Sequence, residues 1–130
     1  MRSKIMKKSK KKILIVEDDP NFTSILKEKL SREGFLISAA QDGKEGLLAF
    51  GNEKPDLIIS DVLLPLLSGI DMAKRIKGKS PDLPIILLTN VKDSNYSDLI
   101  KSMKKVDYLI KSDVRLDDIV KMAKNKLKIK

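Results

Sequence analysis

The 130-residue chain contains no cysteine and no histidine. Without cysteine there is no thiolate nucleophile, no disulfide and no zinc–thiolate site. Without histidine there is no imidazole base, no imidazole ligand and no phosphohistidine on this chain. No apolar run approaches the ~20 residues that a membrane-spanning helix needs. The basic N-terminus lacks the apolar stretch of a secretory signal. No Pro/Gly/Ser-rich linker and no internal repeat divides the chain, so its length suits one domain. A cytoplasmic protein is the expectation, and the lack of cysteine agrees with it. Carboxylates, hydroxyls and amines remain for chemistry. Carboxylates with magnesium or calcium are then the natural candidates, because hard cations take oxygen ligands.

Hydrophobic residues make up 42% of the chain, enough for a real core. The net charge is +9, unevenly placed. Residues 1 to 12 carry seven basic groups and no acid, and residues 121 to 130 carry five lysines and no acid. The stretch between them holds 15 basic and all 18 acidic residues, a net −3. Residues 1–11 read as a disordered basic arm, and 12–130 as the domain. A charge run of this kind is usually just solvated. Its functional reading is attraction to nucleic acid, an anionic lipid surface or an acidic partner.

Apolar runs at Ile13–Val16, Leu36–Ala40, Leu57–Ile59, Ile85–Leu88 and Tyr108–Ile110 read as strands. Between them the apolar spacing turns helical. Asp19 and Pro20 suit the N-cap and first position of a helix that uses Phe22, Ile25, Leu26 and Leu30, with Gly34 as its stop. A short helix is expected over Lys44–Phe50, and another after Ser68-Gly69 using Ile70, Ala73 and Ile76. A fourth uses Tyr96, Leu99, Ile100 and Met103. The last uses Leu116, Ile119, Val120, Ala123 and Leu127 and ends near Lys128. Five strand–helix alternations imply parallel strands with right-handed crossovers and helices on both faces. The expected fold is a flavodoxin-like doubly wound (βα)5 sandwich with sheet order 2-1-3-4-5. In that order ligands bind at the carboxyl ends of the first and third strands.

"ILIVEDD" and "LIISD" aim Glu17, Asp18, Asp19 and Asp61 at that one crevice. A phosphate-binding loop would carry Gly, Ser or Thr there. Acids call for a cation instead, and magnesium prefers one or two carboxylates plus waters and phosphate. Thr89 ends the fourth strand and Lys111 the fifth, adding a hydroxyl and an ammonium at the same edge. Phosphoryl transfer is mostly positioning and charge neutralisation, so this set suffices, and a carboxylate can itself accept the group.

The stretches "ILIVEDDP", "PDLIISDVLLPLLSG", "PIILLTN" and "DYLIK", spread over about residues 12 to 128, resemble the receiver domain of bacterial response regulators in two-component signalling. The resemblance implies that Asp61 is the phosphoryl acceptor, taking its group with Mg2+ from a sensor histidine kinase or phosphotransfer protein. Asp18 would be the direct magnesium ligand beside Glu17, and the Leu63 carbonyl would be another. Thr89 matches the switch hydroxyl, and Lys111 the lysine that pairs with the acceptor. Tyr108 matches the aromatic position that reports phosphorylation on the face of the fourth helix, fifth strand and fifth helix. That face is also the family's common pairing surface, where a homodimer would form. The kinase is expected to dock around Asn21, Phe22 and Ile25. The output would be a conformational change read by a protein target; such a chain is a signalling protein that catalyses only its own phosphorylation and dephosphorylation. No DNA-binding domain follows in the sequence, so a stand-alone regulator is expected.

A competing reading keeps the fold as an unphosphorylated binding module, with basic termini holding nucleic acid or an anionic surface. A third, an aspartyl-phosphate hydrolase, lacks the second carboxylate such enzymes need soon after the nucleophile.

The chain departs from the family at several points. Ser112 follows Lys111 where proline is usual; the usual cis bond is not expected there, because a non-proline cis peptide costs about 2.5–4 kcal/mol. Asn90 stands where Ala or Gly is usual and narrows the donor's approach. Leu63 and Val91 occupy positions where polar side chains often place the hydrolytic water. Two apolar side chains there should make self-dephosphorylation slow. Polar substitutions at both positions should shorten the lifetime of the phosphoprotein in a ³²P-release assay; an unchanged lifetime would count against this.

Overall fold

Five apolar runs become five strands of one parallel sheet in the computed structural model, which describes residues 10–90 and 94–127. The strands are β1 Lys12–Val16, β2 Leu36–Ala40, β3 Leu57–Asp61, β4 Ile85–Thr89 and β5 Val106–Ile110. Their order is β2-β1-β3-β4-β5, and every neighbouring pair is parallel. The helices are α1 Pro20–Arg32, α2 Gly43–Glu53, α3 Gly69–Lys79, α4 Ser94–Lys101 and α5 Leu116–Lys126. The fold is the flavodoxin-like doubly wound (βα)5 sandwich in the order 2-1-3-4-5. The N-terminal arm up to residue 9, Val91, and residues 128–130 lie outside the described residues.

Strand alternation sorts the core into two layers. Ile13, Ile15, Leu57, Ile59, Ile86 and Leu88 face α1 and α5. Leu14, Val16, Ile58, Ile85 and Leu87 face α2, α3 and α4. Every residue of β3 and β4 is buried, as strands covered on both faces must be.

Helix starts follow the expected chemistry. The Asp19 carboxylate accepts from the Asn21 amide at 3.0 Å with Pro20 in the first position. Asp42 accepts from the Glu45 amide at 2.7 Å and starts α2 at Gly43, one residue earlier than expected. Gly34 ends the α1 segment with φ +97°, a conformation that favours glycine.

Differences from the sequence reading have local causes. β3 runs on through Ser60 and Asp61, because the ladder continues past the apolar residues into a Val62 amide bond to the Leu88 carbonyl, 2.7 Å. β5 starts at Val106, two residues early, across the polar Asp107. Ile25 is 47% exposed and Leu99 37%, so neither joins the buried side of its helix. Met103 lies past the end of α4 but still packs against the core. α5 stops at Lys126 rather than Lys128.

The loop after β3 contains a tight turn. The Leu67 amide donates to the Pro65 carbonyl at 2.7 Å, two residues back, and Leu66 between them has φ +69°. Such turns are strained for a residue with a side chain. Leu66 is 75% exposed, so little packing compensates. The positive φ costs roughly 1–2 kcal/mol, while glycine would add back roughly 0.5–1 kcal/mol of unfolded-chain entropy. Leu66→Gly should therefore stabilise the fold by about 0.5–1 kcal/mol, seen as a melting temperature about 2–4 °C higher; a lower melting temperature would contradict the strain.

Candidate functional site

Glu17 and Asp18 leave the end of β1, and the Glu17 amide extends the ladder by donating to the Ala40 carbonyl at 2.9 Å. Asp61 closes β3 on the face of Leu57 and Ile59. The three carboxylates each present an oxygen, all within 4.8 Å of one another. Glu17 and Asp61 are buried, while Asp18 is exposed. At an effective dielectric of ~20, two unit charges at that limit repel by about 3.5 kcal/mol.

One cation offsets part of that repulsion. Lys111 begins the 3-10 turn Lys111–Asp113 directly after β5. Its Nζ donates to Glu17 Oε1 at 2.6 Å and to Asp61 Oδ2 at 3.3 Å. Its side chain is only 13% exposed. The ring of Phe22, from the first turn of α1, lies beneath the ammonium with its centre 4.3 Å away. The described peptide bonds are all trans, so Lys111 reaches both acids with an ordinary bond to Ser112.

The balance is visible in the titration of the partners. Burial pushes the Glu17 carboxyl above its ordinary value, and the Asp61 charge adds to that; the Lys111 hydrogen bond and the Asp19 amide at 3.1 Å oppose it without cancelling it. For Lys111 burial favours the neutral amine, but the Glu17 hydrogen bond and the Asp61 and Glu17 charges outweigh it and raise its pKa. Lys111 is therefore a fixed cation. Counted by formal charge, three carboxylates against one ammonium make −2, and every donor atom is a hard oxygen. That is the charge and chemistry that suit a divalent cation such as Mg2+. A cavity of about 520 Å³ opens beside Glu17 and Asp18, between α1 and the start of α2. Glu17, Asp18, Thr23, Lys27, Gln41 and Glu45 are among its lining residues.

The remaining expected residues take these places. Thr89 is wholly buried at the end of β4, on the face of Leu87. Tyr108 is half-buried and packs on that same face, opposite Leu87 in the β4–β5 register. The Leu63 amide donates weakly to Asp61 Oδ1 at 3.4 Å, and its side chain is half exposed at the rim. Asn90 is exposed. Of the three docking residues expected on α1, Asn21 and Ile25 are exposed, and Phe22 is half-buried against the core.

Two features of the site are not readable from the sequence: the contact of Phe22 with Lys111 and the close fit at Gly69. Phe22 was expected to face a partner, and spacing alone does not show a ring meeting a lysine 89 positions away. In the sequence Gly69 marks only a helix start. Its amide donates to the Val62 carbonyl at 2.8 Å, and a Cβ there would lie 2.0 Å from the Asp61 carbonyl oxygen. Only glycine lets the start of α3 close against the Asp61 peptide. Its place one residue after a serine cap and eight after Asp61 was the available signal.

The family described as response regulator receiver domain matches residues 13–124. The alkaline phosphatase synthesis transcriptional regulatory protein PhoP of Bacillus subtilis is 39% identical over 90 residues, covering 69% of this chain and 37% of that protein. The chain spans about a third of the length of the curated relatives it matches. Among solved structures, a CheY-like receiver domain protein from Methanospirillum hungatei superposes with a TM-score of 0.83 at 28% identity, covering 92% of this chain and 95% of that one. The receiver domain of Francisella response regulator 1452 gives 0.82 at 28% identity, covering 91% and 97%.

Removing the ammonium should expose the buried conflict. Lys111→Met should lower the unfolding free energy in metal-free buffer by about 1–3 kcal/mol, because Glu17 loses its charged partner. Urea denaturation checks this, and an unchanged midpoint would contradict it.

Proposed function

Because the chain belongs to the response regulator receiver family, we propose that it accepts a phosphoryl group on Asp61 and signals by a conformational change to a protein partner. The donor is a phosphohistidine on a sensor histidine kinase or phosphotransfer protein, since this chain has no histidine of its own. The observation that carries the reading is a buried Asp61 held by Lys111 beside two further carboxylates, a cluster with a formal charge of −2.

An Asp61 carboxylate oxygen attacks phosphorus, the P–N bond to the donor imidazole breaks, and the imidazole leaves with its electron pair and takes a proton. Asp18, Asp61 and Glu17, with the Leu63 carbonyl, are the groups that would hold Mg2+, which when bound supplies positive charge against the acids and the phosphoryl oxygens. Lys111 is already within reach of Asp61 and binds a phosphoryl oxygen after transfer. Thr89 offers its hydroxyl from the neighbouring strand end. Its movement toward the phosphoryl group vacates space on the face it shares with Tyr108, so Tyr108 turns inward and the α4–β5–α5 surface repacks. The shift between the two conformations is limited by how differently the phosphoryl group interacts with each. The exposed Asn21 and Ile25 on α1, with Phe22 beside them, are the proposed kinase-docking positions, and the α4–β5–α5 face the proposed homodimer surface.

Among the described residues no helix is long and apolar enough to cross a membrane. Incubation with Mg2+ and acetyl phosphate should add one phosphoryl group, located on Asp61 by borohydride reduction and mass spectrometry. Asp61→Asn should abolish it. A wild-type chain that stays unmodified, or an Asp61→Asn chain that is still modified, would refute the assignment.

A further inference from the structure

Phe22 has no chemical step in the cycle above, yet its ring centre lies 4.3 Å from the Lys111 Nζ. We propose that Phe22 is a positioning residue: its ring face holds the Lys111 ammonium over Asp61 while the carboxylates exchange partners. This rests on the assignment of Asp61 as acceptor.

The ammonium lies closer to Glu17, at 2.6 Å against 3.3 Å for Asp61. A cation shared by Glu17, Asp18 and Asp61 weakens the pull of both acids on it. A lysine released by its carboxylates would swing to water, because its charge is strongly hydrated and its four-carbon stem is flexible. An aromatic face attracts the ammonium from a third direction. It does so without offering a lone pair, so the three N–H donors stay free for Glu17, Asp61 and a phosphoryl oxygen.

The ring is well placed for this. It sits in the first turn of α1, directly after the loop that carries Glu17 and Asp18. It is half-buried and packs on the layer that contains Leu26, Ile119 and Ala123. Lys111 is itself nearly enclosed, and a desolvated cation–π contact is stronger than an exposed one. An aliphatic side chain of similar size would fill the same space without attracting the charge.

Two measurements test this. Nuclear magnetic resonance of the wild-type chain should show the Lys111 ε-methylene protons displaced upfield by the ring current. The displacement should persist when Mg2+ is added. Unshifted protons, or a shift lost with Mg2+, would overturn the proposal without any variant. In the second, Phe22→Leu and Phe22→Tyr are compared with wild type, using acetyl phosphate at saturating Mg2+ for rate and calorimetry for Mg2+ affinity. Phe22→Leu should be phosphorylated about three- to tenfold more slowly, from the loss of one cation–π contact, with Mg2+ affinity not reduced. Phe22→Tyr should restore the rate. A wild-type rate in Phe22→Leu, or a Mg2+ affinity that falls in step with the rate, would overturn it. If the wild-type chain itself takes no phosphoryl group, the acceptor assignment fails, and the ring-current shift still decides whether Phe22 holds Lys111.

Discussion

Lys111 carries the ammonium that lets Glu17 and Asp61 stay buried together at the end of a parallel sheet. Buried ionised acids are costly unless paired and hydrogen-bonded. Here one lysine serves two of them, and a third acid stands within 4.8 Å. The arrangement is deliberately under-neutralised: Glu17 remains harder to ionise than a free carboxyl despite its lysine, because burial and Asp61 outweigh the help it receives. In the proposed cycle a divalent cation would offset that deficit, and Lys111 would bind the incoming phosphoryl group.

The rest of the fold delivers these groups. Three residues from three different strand ends meet only because the sheet order places β1 beside β3 and β5 two strands further along. Lys111 must reach across that edge, and its ammonium ends over the ring of Phe22 in α1. Gly69 closes the loop after β3 so tightly against the Asp61 carbonyl that no side chain fits. The strained Leu66 turn sits in that loop. The two apolar layers below, with β3 and β4 buried at every position, fix the strand ends from which Asp61 and Thr89 project.

Much of this was legible in the sequence. Apolar runs of three or four residues leading into acids, a threonine and a lysine specify both the strands and the edge where chemistry sits. Asp19, Pro20 and Gly34 marked α1, since each acts through its own backbone. Element ends were less legible: Ser60 and Asp107 are polar residues inside strands, held there by ladder bonds that periodicity does not reveal. Ile25 and Leu99 fit helical apolar spacing yet face solvent, because spacing says which residues share a helix face but not how wide the buried part is. The Lys111–Phe22 contact and the tight fit at Gly69 depend on three-dimensional approach between distant parts of the chain, for which sequence spacing carries no signal.

The central claim is that an excess of negative charge at this edge waits for a divalent cation. Thermal melting with and without millimolar Mg2+, at constant ionic strength, tests it most directly. A ligand that binds only the folded state stabilises it in proportion to the logarithm of its concentration over Kd. The account predicts a melting temperature that rises with Mg2+ in the wild-type chain and stays level in Asp18→Asn. A wild-type chain indifferent to Mg2+ would contradict it.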